Sequence, residues 1–306
     1  MMRGRTLAAV AAVLAAFPAV TAGAAETPAG GPDLGTMALA TNDFGPGARI
    51  AFQGSKPPPS PAVASYQRIF GPAVRLGGHR LLTVVSTNDG FADGGTASNV
   101  FATVESALST SAGRTELGNL VLGELNSAAG GALHARLAGV GSLVSVQLGQ
   151  GAFRILVRVK TRLGTLDIAL GGIVLDRALG LVLLVSYPKK HVGAATALLA
   201  LRKLAPHFQY GFTVRNLTPP TIGGAPQAGQ TLTADPGRWA GAPSSFAFQW
   251  SRCDAAGSNC APIAGAVGQT YVLGTAEIGT RINVTVTAAN TVTSQSLAAA
   301  ATSAVK

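Results

Sequence analysis

Hydrophobic and polar positions alternate with period two along much of this 306-residue chain, and helical spacing replaces that alternation in two regions. The runs "ARIAFQG", "ASYQRIFG" and "RLLTVVSTND" read as early strands, and "LVSVQLG", "AFRILVRVKTR", "TLDIALGGIVL" and "ALGLVLLVSY" as later ones. Between the two sets, Val100, Val104 and Leu108 recur at helical spacing, followed after Gly113 by Leu117, Leu120 and Val121. The pattern predicts one interrupted helix or two. A further helix is predicted over "GAATALLALRKLAPHF", with Leu198, Leu201 and Ala205 on one side. Strands, helix, strands, helix is the order of an α+β domain, an antiparallel sheet covered by helices.

Beyond "RNLTPPTIGG" the pattern changes to short β runs about ten residues apart, as an all-β sandwich requires. Strands are expected at 230–234, 246–252, 270–273 and 281–288. In the last, Ile282, Val284 and Val286 alternate with Asn283, Thr285 and Thr287, giving one buried face and one wet face. Phe246, Phe248 and Trp250 share a period-two face and are expected in one core, with Trp239 capping an edge. Two Pro-rich stretches punctuate the chain: "GSKPPPSP" reads as a stiff loop inside the first domain, and the Pro219-Pro220 pair as a domain boundary. The expected division is an α+β domain over 33–214, a linker over 215–220 and a sandwich over 221–306.

Particular motifs carry two resemblances. Residues 219–300 resemble a bacterial immunoglobulin-like module of secreted and surface proteins. The entry "PTIGGAPQAGQTL" (220–232), the hairpin "FQWSRCDAAGSNC" (248–260), "IAGAVGQTY" (263–271) and "EIGTRINVTV" (277–286) carry that likeness. It implies a spacer or adhesive binding unit that is rarely catalytic. "SYQRIF", together with the hairpin run from Gly151 to Pro188 ahead of a closing helix, resembles exported PsbP-like α/β/α domains, some of them lipoproteins of the cell envelope. The lipid-attachment cysteine of those lipoproteins has no counterpart here.

The N-terminus changes the picture from architecture to address. Arg3 and Arg5 precede an apolar run from Leu7 to Val20, and Ala22-Gly23-Ala24 supplies small residues for cleavage. Residues 1–25 therefore read as a signal peptide, with an apolar run too short to span a bilayer. The mature protein is expected outside the cytosol, secreted or in the cell envelope, with no transmembrane span. In that oxidising setting Cys253 and Cys260, the only cysteines, are expected to form a structural disulfide. The composition, rich in Ala, Gly, Val and Thr, suggests a GC-rich bacterial coding bias. Net charge is uneven: residues 25–215 hold 17 Lys and Arg against 10 Asp and Glu, whereas 216–306 hold 4 against 3. A basic first domain attracts anionic surfaces; for an exported protein these are wall polymer or lipid rather than nucleic acid.

No catalytic constellation stands out, and the chain is expected to be non-enzymatic and without a cofactor or metal. Ser142, Asp167 and His191 assemble a triad on paper only, and no nucleophile elbow is present. In "TNDGFADGG", Asp89 and Asp93 look like half a calcium loop, but a helix cap by Asp93 or Thr96 accounts for them. "GQG" (149–151) reads as a hairpin turn. One strand is distinctive: Arg154, Arg158, Lys160 and Arg162 alternate with apolar residues, a candidate anion-binding patch unless they pair with carboxylates such as Asp167. The expected role is envelope binding or adhesion, with cell-wall polymer, lipid or a protein as partner and the C-terminal module as spacer. The alternative is a carrier of a lipid-like ligand in the first domain, and the two differ in whether the core is packed or holds an apolar cavity.

Overall fold

The computed structural model describes residues 32–72, 74–128, 133–188 and 190–306; the expected signal peptide lies outside them. The chain divides into two compact units, which meet in sequence at Tyr210 and Gly211.

The first unit is built on one antiparallel sheet. Its strands are β1 (Ile50–Ser55), β2 (Ala64–Phe70), β3 (Val74–Leu76), β4 (His79–Gly90), β5 (Arg136–Val140), β6 (Val144–Val146), β7 (Gly151–Thr161), β8 (Gly164–Leu175) and β9 (Ala178–Ser186). Their spatial order is β1-β2-β4-β9-β8-β7-β5, with β3 on β4 and β6 on β7. Among the described residues four α-helices accompany it: α1 (Leu34–Met37), α2 (Gly94–Ser109), α3 (Ser111–Ala128) and α4 (Ala194–Gly211). Sheet and helices together are compatible with the α+β class expected for this unit.

Both faces of the sheet are apolar because both are covered. On one face Val157, Val159, Leu166, Ile168 and Val185 pack with Leu125 and Leu133 and with the apolar stripe of α3. Phe153, Val174 and Leu179 continue that face against Phe101 and Ala97 of α2. On the other, α4 buries Ala197, Ala200, Leu201, Leu204 and Phe208. This helix sits close because glycine lies beneath it: a Cβ on Gly171 would stand 2.8 Å from Leu201, and one on Gly180 2.5 Å from Phe208.

The interrupted helix is two helices, and Thr110 makes the break. It is extended (φ −85°, ψ 155°), and its Oγ1 accepts from the Gly113 N–H at 3.0 Å, capping the start of α3. The corner is tight enough that a Cβ on Gly113 would meet the Ala107 carbonyl oxygen at 2.2 Å. Asp93 caps α2, accepting from Thr96 N at 2.7 Å and from Thr96 Oγ1 at 2.8 Å. Two strands escape the alternation pattern. β3 has only three residues, and β5 shows no buried alternation. Conversely, "LVSVQLG" forms strand only over Val144–Val146 before the Gly149 turn, where φ is +64°.

The second unit is all β. Its strands are β10 (Arg215–Thr218), β11 (Thr221–Gly223), β12 (Thr231–Asp235), β13 (Arg238–Ala240), β14 (Ser245–Cys253), β15 (Ala261–Pro262), β16 (Thr270–Val272), β17 (Arg281–Ala289) and β18 (Ser294–Ala298). They form sheets β11-β12-β16 and β15-β14-β17-β18, plus a β10-β13 pair. Leu232 and Ala234 from one sheet meet Trp250, Ile282 and Val284 from another in a common core. Trp250 is fully buried, donates its indole N–H to Gly268 O at 2.8 Å and stacks on Tyr271. Residues 215–218 are not a linker: Arg215 and Asn216 pair with Ala240 and Trp239, so the Pro219-Pro220 pair stands between two strands of this unit. Trp239 seals a second small cluster with Val214, Val286 and Ala288. Phe246 shares the face of Trp250 yet is 40% exposed, because that core ends at Phe248.

Cys253 and Cys260 are bonded, clipping the 254–259 turn beside Trp250. Replacing both by Ser opens a loop of about eight residues and should cost about 2–3 kcal/mol of stability. Chemical denaturation of the double variant, followed by Trp fluorescence, checks this; an unchanged midpoint would show that the clip contributes nothing.

Candidate ligand cavity and basic sheet edge

Helices α2 and α3 do not close down on the sheet as α4 does. Between them and strands β4, β7, β8 and β9 lies a cavity of about 380 Å3. Its walls include Val104 and Leu108 of α2, Leu117 of α3 and, on the sheet, Ile155, Leu170 and Leu181. Thus Val104, Leu108 and Leu117 of the helical stripe line a void while also packing against the buried clusters beside it. Leu181 sits in β9, paired on both sides by β4 and β8, yet remains 37% exposed. A leucine in the middle of a central strand keeps that exposure only if nothing covers it. The Pro-rich loop forms part of the rim through Lys56 and Pro59.

One edge of this cavity is polar. Strands β2 and β4 place Ser65 opposite Asp89 and Gln67 opposite Thr87, on the same face as Ile69 and Val85. All four polar residues are buried. Ser65 Oγ donates to Asp89 Oδ1 at 2.5 Å, and Gln67 Nε2 donates to Thr87 Oγ1 at 3.1 Å. Thr87 and Asp89 line the cavity. Burial pushes the Asp89 carboxyl above the usual carboxylate range, while the Ser65 hydroxyl and the Lys56 charge pull part of the way back. The half calcium loop therefore splits: Asp93 caps a helix, and Asp89 turns into the cavity. Its period-two position in "RLLTVVSTND", four residues beyond Val85 and on the same face, was the available signal.

The four cations of the candidate patch separate. Arg154 is half-buried. Arg158 pairs through Nε with Asp167 Oδ1 at 2.8 Å, on the register expected for facing strands. Lys160 is exposed, and Arg162 is exposed in the turn past the end of β7. The structure adds others that the strand pattern does not contain. Arg136 of β5 stands opposite Lys160, and an open groove at the end of β4 and β9 is lined by His79, Arg80, Tyr187, Lys190 and His191. Arg80 lies over the Tyr187 ring, 5.3 Å from its centroid.

Asp167 is the fully buried acceptor at that end. Besides Arg158 it accepts from Val192 N at 3.0 Å and meets His191 Nδ1 at 3.0 Å, while its own N–H donates to Ser186 Oγ at 2.8 Å. The paper triad is thus half assembled: Asp167 orients His191, but no hydrogen bond joins Ser142 to His191 among the described residues. Among those residues no three His, Cys, Asp or Glu groups come together as a metal site, and no helix is long and apolar enough to cross a membrane.

A carboxyl whose folded pKa is raised binds its proton more tightly in the folded state. Its stabilising contribution is complete below the unfolded pKa and is lost as pH rises through the folded value. Asp89→Asn keeps an acceptor for Ser65 and removes the buried charge. It should raise the melting temperature at about pH 8, with the gain vanishing towards about pH 4, where an unperturbed aspartate is half protonated. A gain independent of pH would show that the charge is not what matters.

No protein-family model and no curated protein matches this sequence.

Proposed function

We propose that the chain is an exported binding protein whose α+β unit carries an apolar ligand in the cavity beneath α2 and α3. The single observation behind this reading is Leu181, exposed in the middle of a central strand within an apolar void of about 380 Å3. That volume falls in the range of roughly 300–1,000 Å3 typical of small-molecule sites. The carrier alternative thereby gains over plain adhesion, although it sits under α2 and α3 and not under α4, whose glycine-seated face is tightly packed.

The test uses N-phenyl-1-naphthylamine, an uncharged fluorophore that brightens in apolar surroundings. Saturable enhancement with one site per chain is expected. Leu181→Trp, which fills the void, should weaken it at least about tenfold, a loss of about 1.4 kcal/mol, with the melting temperature held. Absence of saturable binding, or wild-type binding by L181W, would overturn the carrier reading.

Two further features support a place in the cell envelope. The resemblance of residues 219–300 to an immunoglobulin-like module suits a spacer, and the basic edge suits an anionic wall polymer or lipid surface. Arg136, Lys160 and Arg162 are exposed there, as is Arg158, whose guanidinium is engaged by Asp167. Reversing Arg158 is a poor test, since it would set a carboxylate against buried Asp167. Lys160→Glu with Arg162→Glu leaves the fold intact and should lower retention on cell-wall fragments several-fold at low salt, with the difference fading as salt screens the charge. Retention unchanged at low salt would leave these residues as a solvated sheet face.

A further inference from the structure

The polar edge of the cavity has a specific donor and acceptor arrangement, and it restricts the head group a ligand can carry. Asp89 presents a carboxylate, which when ionised accepts hydrogen bonds and donates none. Thr87 already accepts from Gln67 Nε2, so its hydroxyl proton is left to donate. Lys56 at the rim brings a positive charge that offsets the Asp89 charge. The edge is therefore neutral as a whole, with an acceptor and a donor on adjacent same-face positions of β4, two residues apart.

We propose that the ligand of this cavity is an apolar molecule ended by a single hydroxyl group, which donates to Asp89 and accepts from Thr87. This inference rests on the carrier reading above. A hydroxyl is one donor with two acceptor lone pairs, which matches the edge in both senses. A pure hydrocarbon would bury Asp89 and Thr87 against a surface that satisfies neither. A ligand anion would set a second negative charge beside Asp89 where water is scarce, and charges interact strongly there. A ligand cation would meet Lys56 as a like charge. The raised titration of Asp89 adds a pH signature, because a protonated carboxyl becomes a donor and tolerates an anionic head. Among the described residues, Lys56 is the charged group that acts on it and Ser65 the hydrogen-bonding neighbour, so the titration belongs to Asp89.

The experiment is competition against N-phenyl-1-naphthylamine on the full chain with 1-decanol, decane, decylamine and 1-decanesulfonate, all below their aggregation limits. The sulfonate keeps its charge throughout, so any pH dependence in its binding comes from the protein. At about pH 8, 1-decanol is expected to displace the fluorophore at least about tenfold more tightly than each of the other three, the factor a single satisfied hydrogen bond supplies. Decanesulfonate should tighten as pH falls. Asp89→Asn, which supplies an amide donor, should make decanesulfonate binding pH-independent and narrow its gap to 1-decanol. Ser65→Ala, which removes a group that favours the ionised carboxyl, should move the sulfonate response to higher pH, and it serves if D89N does not fold. Equal displacement by all four compounds, or tighter binding of sulfonate or amine at about pH 8, would overturn the hydroxyl assignment while leaving the carrier standing. Binding of none of them, fluorophore included, would remove both.

Discussion

Side-chain size on the two faces of one sheet controls everything else in the first unit. Gly171 and Gly180 give α4 a bed without side chains, so Leu201 and Phe208 descend to contact the backbone. The opposite face carries Leu170, Leu181 and Leu183 at corresponding depths, and the helices above are held away from it. Close packing normally eliminates such gaps, because atoms lining a void lose their dispersion partners. Here Gly172 lets the Phe153 ring lie across the sheet, where a Cβ would stand 2.5 Å from it, and Phe153 meets Phe101 of α2 at 5.6 Å between centroids. That aromatic contact props one end of the helix pair. The other end is held by Leu125 and Leu133 over Val157 and Val185. The void is what lies between two fixed supports.

Within that void the Ser65–Asp89 and Gln67–Thr87 pairs are costly choices for stability alone. A buried carboxylate with one short hydrogen bond would be exchanged for an apolar residue if packing were the only requirement. By contrast, Asp167 on the other face has its oxygens occupied by Arg158, His191 and Val192, as a structural anchor should. Two buried aspartates in one sheet thus serve opposite ends. One is saturated by the protein, and the other keeps capacity towards an empty space.

Much of the framework was legible in the residues. Strand and helix order, the Asp93 cap, the clip at Cys253 and Cys260 and the buried Trp250 all follow from local chemistry with a fixed period or a fixed partner. The site was not legible, for a physical reason. Helical or period-two spacing shows that a side chain points inward but not how far the layer above stands off, so the spacing of Val104 and Leu108 did not reveal the cavity they also line. Asp89 looked like a turn residue because glycines follow it; its burial depends on Ser65, 24 positions away. The sequence shows the basic positions of one strand only, since Arg136 joins by pairing with Lys160 and Arg80 and Lys190 by lining a groove at the ends of β4 and β9, neither of which a single window of sequence contains. The stretch 215–218 was mistaken for a linker because a Pro-Pro pair follows it, and proline blocks a strand only where it stands.

The rim of the cavity adds a kinetic dimension. Pro57, Pro58 and Pro59 are consecutive, and chains of this kind hold an extended polyproline shape with little freedom left to lose. Pro59 is itself part of the wall. On the carrier reading, an opening framed by so stiff a segment would pay little ordering entropy when a guest arrives. On that reading, entry and exit would be sieved by the girth of the guest's hydrocarbon body, so that a slender chain would pass where a fused ring system of the same volume would be turned away.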